Sequence, residues 1–310
     1  MSITTLLGIK YPIIQGAMAR IATHKIAGAV SAAGGLGILG SGGWSADQLR
    51  EEIRLTREIT DKPFGVNLML QMPNIDELVD VIIEEKVKIV TTGAGSPAKY
   101  MVRFKEHGVI VIPVIAAVKH AIKMEQLGAD AVVAEGQEAG GHIGQTSSMS
   151  LIPQIVDSVK IPVIAAGGVG DSRSIVAMYA LGAQGVQAGT IFLSADECPI
   201  PDSYKQRVIN ATDTDTIVTG RKSGHPVRSL RNAMLEKYLS LENNNAPQEE
   251  LDKLTQGSLV KAVYYGDMEN GSPMAGEIAG MIKSLRPAKQ IIEELFAGTH
   301  DVVKNLRLPK

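Results

Sequence analysis

The chain has 310 residues, 45% apolar and 21% charged, with 32 glycines. This excludes a disordered or low-complexity polypeptide and leaves material for a large core, arranged as two domains or as one α/β barrel with an insertion. With 31 basic against 33 acidic residues, four Phe and one Trp, the chain lacks the charge and the aromatic side chains that bind nucleic acid, and no apolar run approaches the roughly 20 residues needed to span a bilayer.

The N-terminal stretch MSITTLLGIKYPIIQGAM has neither a basic leader nor a small-residue cleavage pattern, so no secretory signal is expected. Cys198 is the single cysteine, which excludes an internal disulfide and agrees with a reducing, cytoplasmic setting. It lies in DECPIPD, among acids that oppose thiolate formation, and reads as an unreactive loop thiol.

In chain order, β-branched runs at residues 12–15, 35–39, 63–69, 87–91, 109–115, 131–134, 161–165 and 185–188 predict eight strands. They are apolar almost throughout instead of alternating, as parallel strands covered on both faces require. Helix-like segments separate most of them, for example residues 45–59 with Ser45 as N-cap and residues 75–85 preceded by Asn74. Strand–helix units of about 25 residues fit right-handed crossovers, and eight of them close a barrel. The expected fold is α/β, a (β/α)8 TIM barrel. An open doubly wound sheet is disfavoured by the strand count and by the lack of a GxGxxG turn after the first strand. Residues 198–256 are more polar and have weak strand signals. They predict a smaller, mostly helical inserted subdomain after the eighth strand, bordering the substrate pocket. Residues 1–197 and 257–310 then form the barrel, with 257–282 supplying the helix of the eighth unit.

Four glycine-rich strand ends carry the candidate chemistry. IIQGAMA, residues 13–19, lets backbone approach a flat ligand or simply makes a tight turn. In GVNLM, Asn67 is an amide inside an apolar strand, which either ties two strands together or holds a ligand. AEGQEAGGHIG runs the sixth strand into paired glycines before His142. AAGGV and QAGT end the seventh and eighth strands, where loops of this architecture bind phosphate; ordinary turns are the alternative. His142 is the one histidine that falls in a glycine-rich loop at a strand's C-terminal end. His24, His107, His120 and His300 fall in helices or connections. His225, in SGHPVR, lies in the insertion, where a structural role is the stronger reading and a place on the pocket the other. No HxxxH, CxxC or clustered Asp/His spacing points to a metal, and no GxSxG elbow occurs.

PIIQGAMA, FGVNLM, AEGQEAGGHIG, IPVIAAGGVGD, GVQAGTIF, GHPVRSLRN and GSLVKAVYYGDMENGSPMAGEIAG together resemble the nitronate-monooxygenase (2-nitropropane dioxygenase-like) flavoproteins nearly end to end. Within them the chain is most similar to the FMN-dependent enoyl-acyl-carrier-protein reductase branch of bacterial fatty-acid synthesis. The resemblance implies FMN, with Gly16, Ala17 and Met18 along the isoalloxazine ring, Asn67 hydrogen-bonded to it, and Glu135 and Gly141 bordering it. Gly167, Gly168, Gly189 and Thr190 would hold the phosphate, Met274 and Ala275 would close over the ring, and His142 would be catalytic. The implied reaction takes electrons from NADH or NADPH to reduce a trans-2-enoyl thioester. Oxidation of nitronates by O2 is the alternative. Members of the branch are often dimeric and stimulated by a monovalent cation, which sets both expectations here. An acidic carrier-protein partner would meet Arg221, Lys222, Arg228 and Arg231 as a docking patch, unless these form an ordinary solvated face.

Overall fold

The computed structural model describes residues 2–307. All eight expected strands are present. They are β1 (Ile13–Gln15), β2 (Gly37–Gly40), β3 (Phe64–Met69), β4 (Ile89–Gly93), β5 (Ile110–Ile115) and β6 (Val132–Glu135), then, after a two-residue strand β7 (Gly141–His142) outside the barrel, β8 (Val163–Ala166) and β9 (Gly185–Ala188). The sheet runs β1-β9-β8-β6-β5-β4-β3-β2, every pairing parallel, and a parallel bridge between Ile14 and Leu36 joins its two ends. The fold is a (β/α)8 barrel.

Alternation along each strand divides the core in two. Ile14, Ile38, Ile89, Ile112, Val133 and Ile164 point inward and fill the barrel, and Ile3 and Leu7 of the N-terminal helix Ile3–Leu7 join this cluster. The intervening residues, such as Ile13, Leu39, Val66, Val111, Val132 and Val163, face outward under the helices. Both faces are therefore apolar, which is why the strands read as continuous runs. The surrounding helices are His24–Ala32, Ala46–Ile59, Ile75–Glu84, Ala98–Glu106, Val118–Gln126, Ser148–Val156, Ser172–Ala180 and Ala288–Ala297. Ser45 caps Ala46–Ile59 in a reciprocal box with Gln48, satisfying two orphan N–H groups. Asn74 behaves differently: its side chain makes no cap and donates instead to the Trp44 carbonyl at 2.9 Å.

The insertion is helical, as its composition implies, with two short strands added to its helices. Between helices Asp202–Ile209, Ala233–Asn243 and Gln248–Thr255 it holds an antiparallel hairpin, β10 (Thr216–Thr219) and β11 (Val227–Leu230), and β11 pairs in turn with β7. The eighth barrel helix is not drawn from residues 257–282. Ala288–Ala297 takes that place, packed against His24–Ala32 and Ser172–Ala180. Residues 257–282 instead form the short helix Ser258–Tyr265 and an extended stretch with the 3-10 turn Glu277–Met281. Their small residues serve close backbone contact and not a helix face: a Cβ on Gly276 would lie 2.5 Å from the Glu138 carbonyl oxygen.

Candidate active site

The C-terminal ends of the barrel strands open on a cavity of about 720 Å3, a volume typical of cofactor and small-molecule sites. β1 runs into Gly16, Ala17 and Met18, β3 contributes Asn67, β6 ends in Glu135, and β8 and β9 deliver Gly167, Gly168, Gly189 and Thr190. Gly141, His142 and Met274 complete the wall, joined from the insertion by Gly224, His225 and Pro226. Ala275 does not line the cavity; it is 1% exposed and lies behind the wall against Gly140.

One end of this cavity suits an anion. The backbone N–H groups of Gly167, Gly168, Gly189 and Thr190 find no acceptor among the described residues. Protein N–H groups shut in without a partner are costly, so a cluster of them on a cavity wall is made for a ligand's oxygens. Gly167 and Gly168 hold left-handed backbone, φ 90 and 77, which a side chain would strain. Thr190 Oγ1 accepts the Gly276 N–H at 2.8 Å, leaving its own hydrogen free to donate. Asn67 is a strand tie: Nδ2 donates to Thr91 Oγ1 at 2.9 Å across β3 and β4. Its Oδ1 takes no donor among the described residues.

The titratable groups are tuned by burial. Glu135 ends β6 with its carboxyl toward the cavity and no basic partner, and desolvation pushes its pKa up to about 7. The His142 ring opens on the cavity with protein around its other sides. Burial, and then the nearby His225, hold its pKa below the ordinary histidine value. The two histidines are neighbours because β7 lies on β11: His142 is in register with Val227, and the Ile143 N–H donates to the Pro226 carbonyl at 3.1 Å.

The loop carrying His142 is held by backbone contact and by one buried cation. A Cβ on Gly140 would lie 2.6 Å from the Ala275 carbonyl carbon and 2.7 Å from the Gly276 nitrogen, so the GGH loop and the MAGE segment fit only as glycine against glycine. Arg228, 6% exposed, reaches back from β11 to donate to the Gln137 carbonyl at 3.0 Å and to Thr216 Oγ1 at 2.9 Å, and it pairs with Glu277 at 2.8 Å. Glu138 of the same loop accepts the Ser148 N–H at 2.9 Å, at the start of helix Ser148–Val156.

Residues 1–78 and 72–298 match the family model described as nitronate monooxygenase. The chain belongs to the nitronate monooxygenase family. Among solved structures it is similar to FabK from Thermotoga maritima, with TM-score 0.95 and 47% identity over 99% of this chain and 98% of that one. Among curated relatives, a probable nitronate monooxygenase of Staphylococcus saprophyticus is 33% identical over 97% of this chain and 98% of its own. A hydroxy-methyl-oxo-octahydro-indene-carboxyl-CoA dehydrogenase of Mycobacterium tuberculosis is 32% identical over 94% of each. As a nitronate monooxygenase family member the protein is a flavin-dependent oxidoreductase. The cavity fits the flavin mononucleotide of that family, with an anion cradle at one end and small residues along a wall.

His225 lines the cavity, the second of the two readings its motif left open, and His120 and Gln187, the latter buried on β9, line it where the sequence reading placed no site residue. The strand-end rule that found His142 has no purchase on His225, which arrives through the hairpin, or on His120, from helix Val118–Gln126. Of Arg221, Lys222, Arg228 and Arg231, the residues expected to form a docking patch, the last three are engaged within the protein. Arg228 is buried, Arg231 pairs with Glu236, and Lys222 Nζ donates to the Glu242 and Asn243 carbonyls and to Asn245 Oδ1. Cys198 is buried, which pushes its thiol up to about 12 and keeps it protonated. His24 is paired with Glu52 at 2.8 Å. Among the described residues no helix is long and apolar enough to cross a membrane.

Proposed function

We propose that the protein is an FMN-dependent trans-2-enoyl-[acyl-carrier-protein] reductase that uses NADH or NADPH, acting in the cytoplasm at the last reduction of fatty-acid elongation. The observation that carries this reading is the joining, in one cavity, of an anion cradle, a wall of small residues and His142. Likeness to FabK at 47% identity over 99% of the chain supports the reductase branch. In this reading residues 1–197 and 257–310 form the FMN-binding barrel and 198–256 the inserted subdomain at its mouth. A homodimer stimulated by a monovalent cation belongs to the same reading.

Bound FMN supplies hydride acceptance and donation. Gly16, Ala17 and Met18 would face the isoalloxazine, with Asn67 Oδ1, Glu135 and Gly141 along its edge. Gly167, Gly168, Gly189 and Thr190 would hold the phosphate. Met274, whose carbonyl is fixed by the Tyr204 hydroxyl at 2.7 Å, closes the site, with Ala275 behind it. His142 does the work on the substrate. Its ring N–H donates to the thioester carbonyl oxygen, where negative charge develops, and it orients or relays the proton destined for the α-carbon. A depressed pKa favours the neutral imidazole near pH 7, so it donates as a dipole.

His142→Ala should lower turnover of crotonyl thioester by about 10²–10³-fold while FMN affinity, read from flavin fluorescence, stays within about twofold. Wild-type turnover in the variant would remove His142 from the chemistry. The second reading is nitronate oxidation, favoured by the curated relative of that name; there a neutral His142 acts as base on the acidic α-carbon and NAD(P)H plays no part.

A further inference from the structure

Beside the FMN cavity lies a second one, of about 480 Å3, between the barrel mouth and the insertion. His142, His225, Leu259 and Met274 belong to the walls of both, so these side chains form the boundary between the two at the proposed reaction centre. The rest of the second wall is mixed, with Val227, Leu235 and Val260 beside a set of polar side chains. Thr219, Ser223, Tyr238, Gln248 and Thr255 line it, and Ser229, 1% exposed, contributes a hydroxyl that finds no partner in the protein. Ser223, Gln248 and Thr255 already donate within the protein, so the Ser229 hydroxyl is the orphan: an acyl chain there would leave it unpaired, whereas an arm of amides and hydroxyls would pair with it.

The barrel contributes one cation to this wall, Arg20. Its guanidinium makes no ion pair and no side-chain hydrogen bond among the described residues, and it extends over the turn after β2, where a Cβ on Gly43 would lie 3.2 Å from Nη2. Its backbone is left-handed, φ 63, a conformation unfavourable for a residue with a Cβ and one that clusters at ligand clamps. The acid of the same wall, Asp252, belongs to helix Gln248–Thr255, and its Oδ1 accepts from Gln248 Nε2 at 2.8 Å. A negatively charged group entering the cavity is therefore drawn to the Arg20 end and repelled from the Asp252 end.

We propose that the second cavity receives the phosphate-terminated polar arm of a reactant, with Arg20 as the phosphate anchor and the reactive end passing between His142 and Met274 toward the flavin. The inference rests on the proposed reductase activity, both of whose reactants carry such an arm: the phosphopantetheine of the thioester and the dinucleotide of NAD(P)H. Arg20 adds affinity for either through charge-assisted hydrogen bonds.

The test is calorimetric and needs no turnover. Phosphopantetheine is titrated against pantetheine, and NAD+ against nicotinamide riboside, neither of which can reduce the flavin, into FMN-loaded wild-type protein, Arg20→Gly and Arg20→Lys. In the wild type one phosphate-bearing ligand should bind roughly ten- to a hundredfold tighter than its phosphate-free partner. Arg20→Gly should erase that advantage and Arg20→Lys keep part of it, and the pair affected identifies the source of the arm. Glycine accepts the left-handed backbone, so Arg20→Gly should melt no lower than the wild type, which separates a lost anchor from a lost fold. A phosphate advantage that survives in Arg20→Gly, or its absence from both pairs in the wild type, would overturn the proposal. A protein that shows the Arg20-dependent advantage yet never reduces crotonyl thioester would overturn the reductase reading alone.

Discussion

His142 and His225 meet because two short strands pair, and a proton on His225 makes a proton on His142 less welcome. Burial of His142 acts in the same direction and is the larger effect. His225→Asn removes the like charge, so the His142 pKa should rise toward the ordinary histidine value while staying below it. An NMR titration of the imidazole Cε1 proton reads this directly, and an unchanged midpoint would refute the coupling. Glu135 titrates the other way. In the folded protein its carboxyl holds a proton up to about pH 7, whereas in the unfolded chain it ionises near its usual 4.5. The folded state binds the extra proton between those values, so stability is full below about pH 4.5 and falls as pH rises through 7. The loss is on the order of 3 kcal/mol in FMN-free protein. Glu135→Gln should flatten the dependence of urea midpoint on pH between 5 and 8; the same slope in variant and wild type would place the burial penalty elsewhere.

Elements explain why the site sits where it does. Each strand ends at the barrel mouth, and the turn that follows is glycine wherever backbone must approach another chain segment or a ligand. Gly140→Ala would force a Cβ into Ala275 and Gly276 backbone. It should cost about 1–3 kcal/mol of stability and displace His142, and thermal melting with an assay of the same preparation checks both. Gly168→Asp should weaken FMN binding by about tenfold or more relative to Gly168→Asn, since both side chains tolerate left-handed backbone and only one repels a phosphate. Equal affinity in the two would move the phosphate to another wall. This tier was also the most legible in the sequence. Strands buried on both faces give unbroken apolar runs, so all eight were found, and their C-terminal ends then located Gly16, Asn67, Glu135, Gly167 and Gly189 on the cavity. β10 and β11 escaped because four-residue strands with TIVT and VRSL offer too short an alternation, and what fixes β11 is Arg228 reaching Gln137 far away in the chain. The eighth helix lies later than expected because the small, apolar residues of 257–282, which resemble a helix face in sequence, serve close backbone contact.

At the scale of the whole molecule, the near balance of charge conceals how the basic residues are used. The resemblance to carrier-protein reductases offers Arg221, Lys222, Arg228 and Arg231 to an acidic partner, but three of them are engaged within the insertion or with the barrel loops, and partners distant in sequence cannot be read from local charge. The insertion's contribution lies inward: it brings His225 to the strand-end cavity and encloses the second cavity against the barrel. In the proposed reading the architecture combines a cofactor cradle built from barrel strand ends with a reactant site shared between barrel and insertion. The reductase reading makes a single spectroscopic demand of that combination. The visible spectrum of the FMN-loaded protein is followed anaerobically through addition of NADH or NADPH and then crotonyl thioester. The account expects the nucleotide to bleach the flavin band and the thioester to restore it. A flavin that neither nucleotide bleaches would contradict the account and leave nitronate oxidation as the reading of the site.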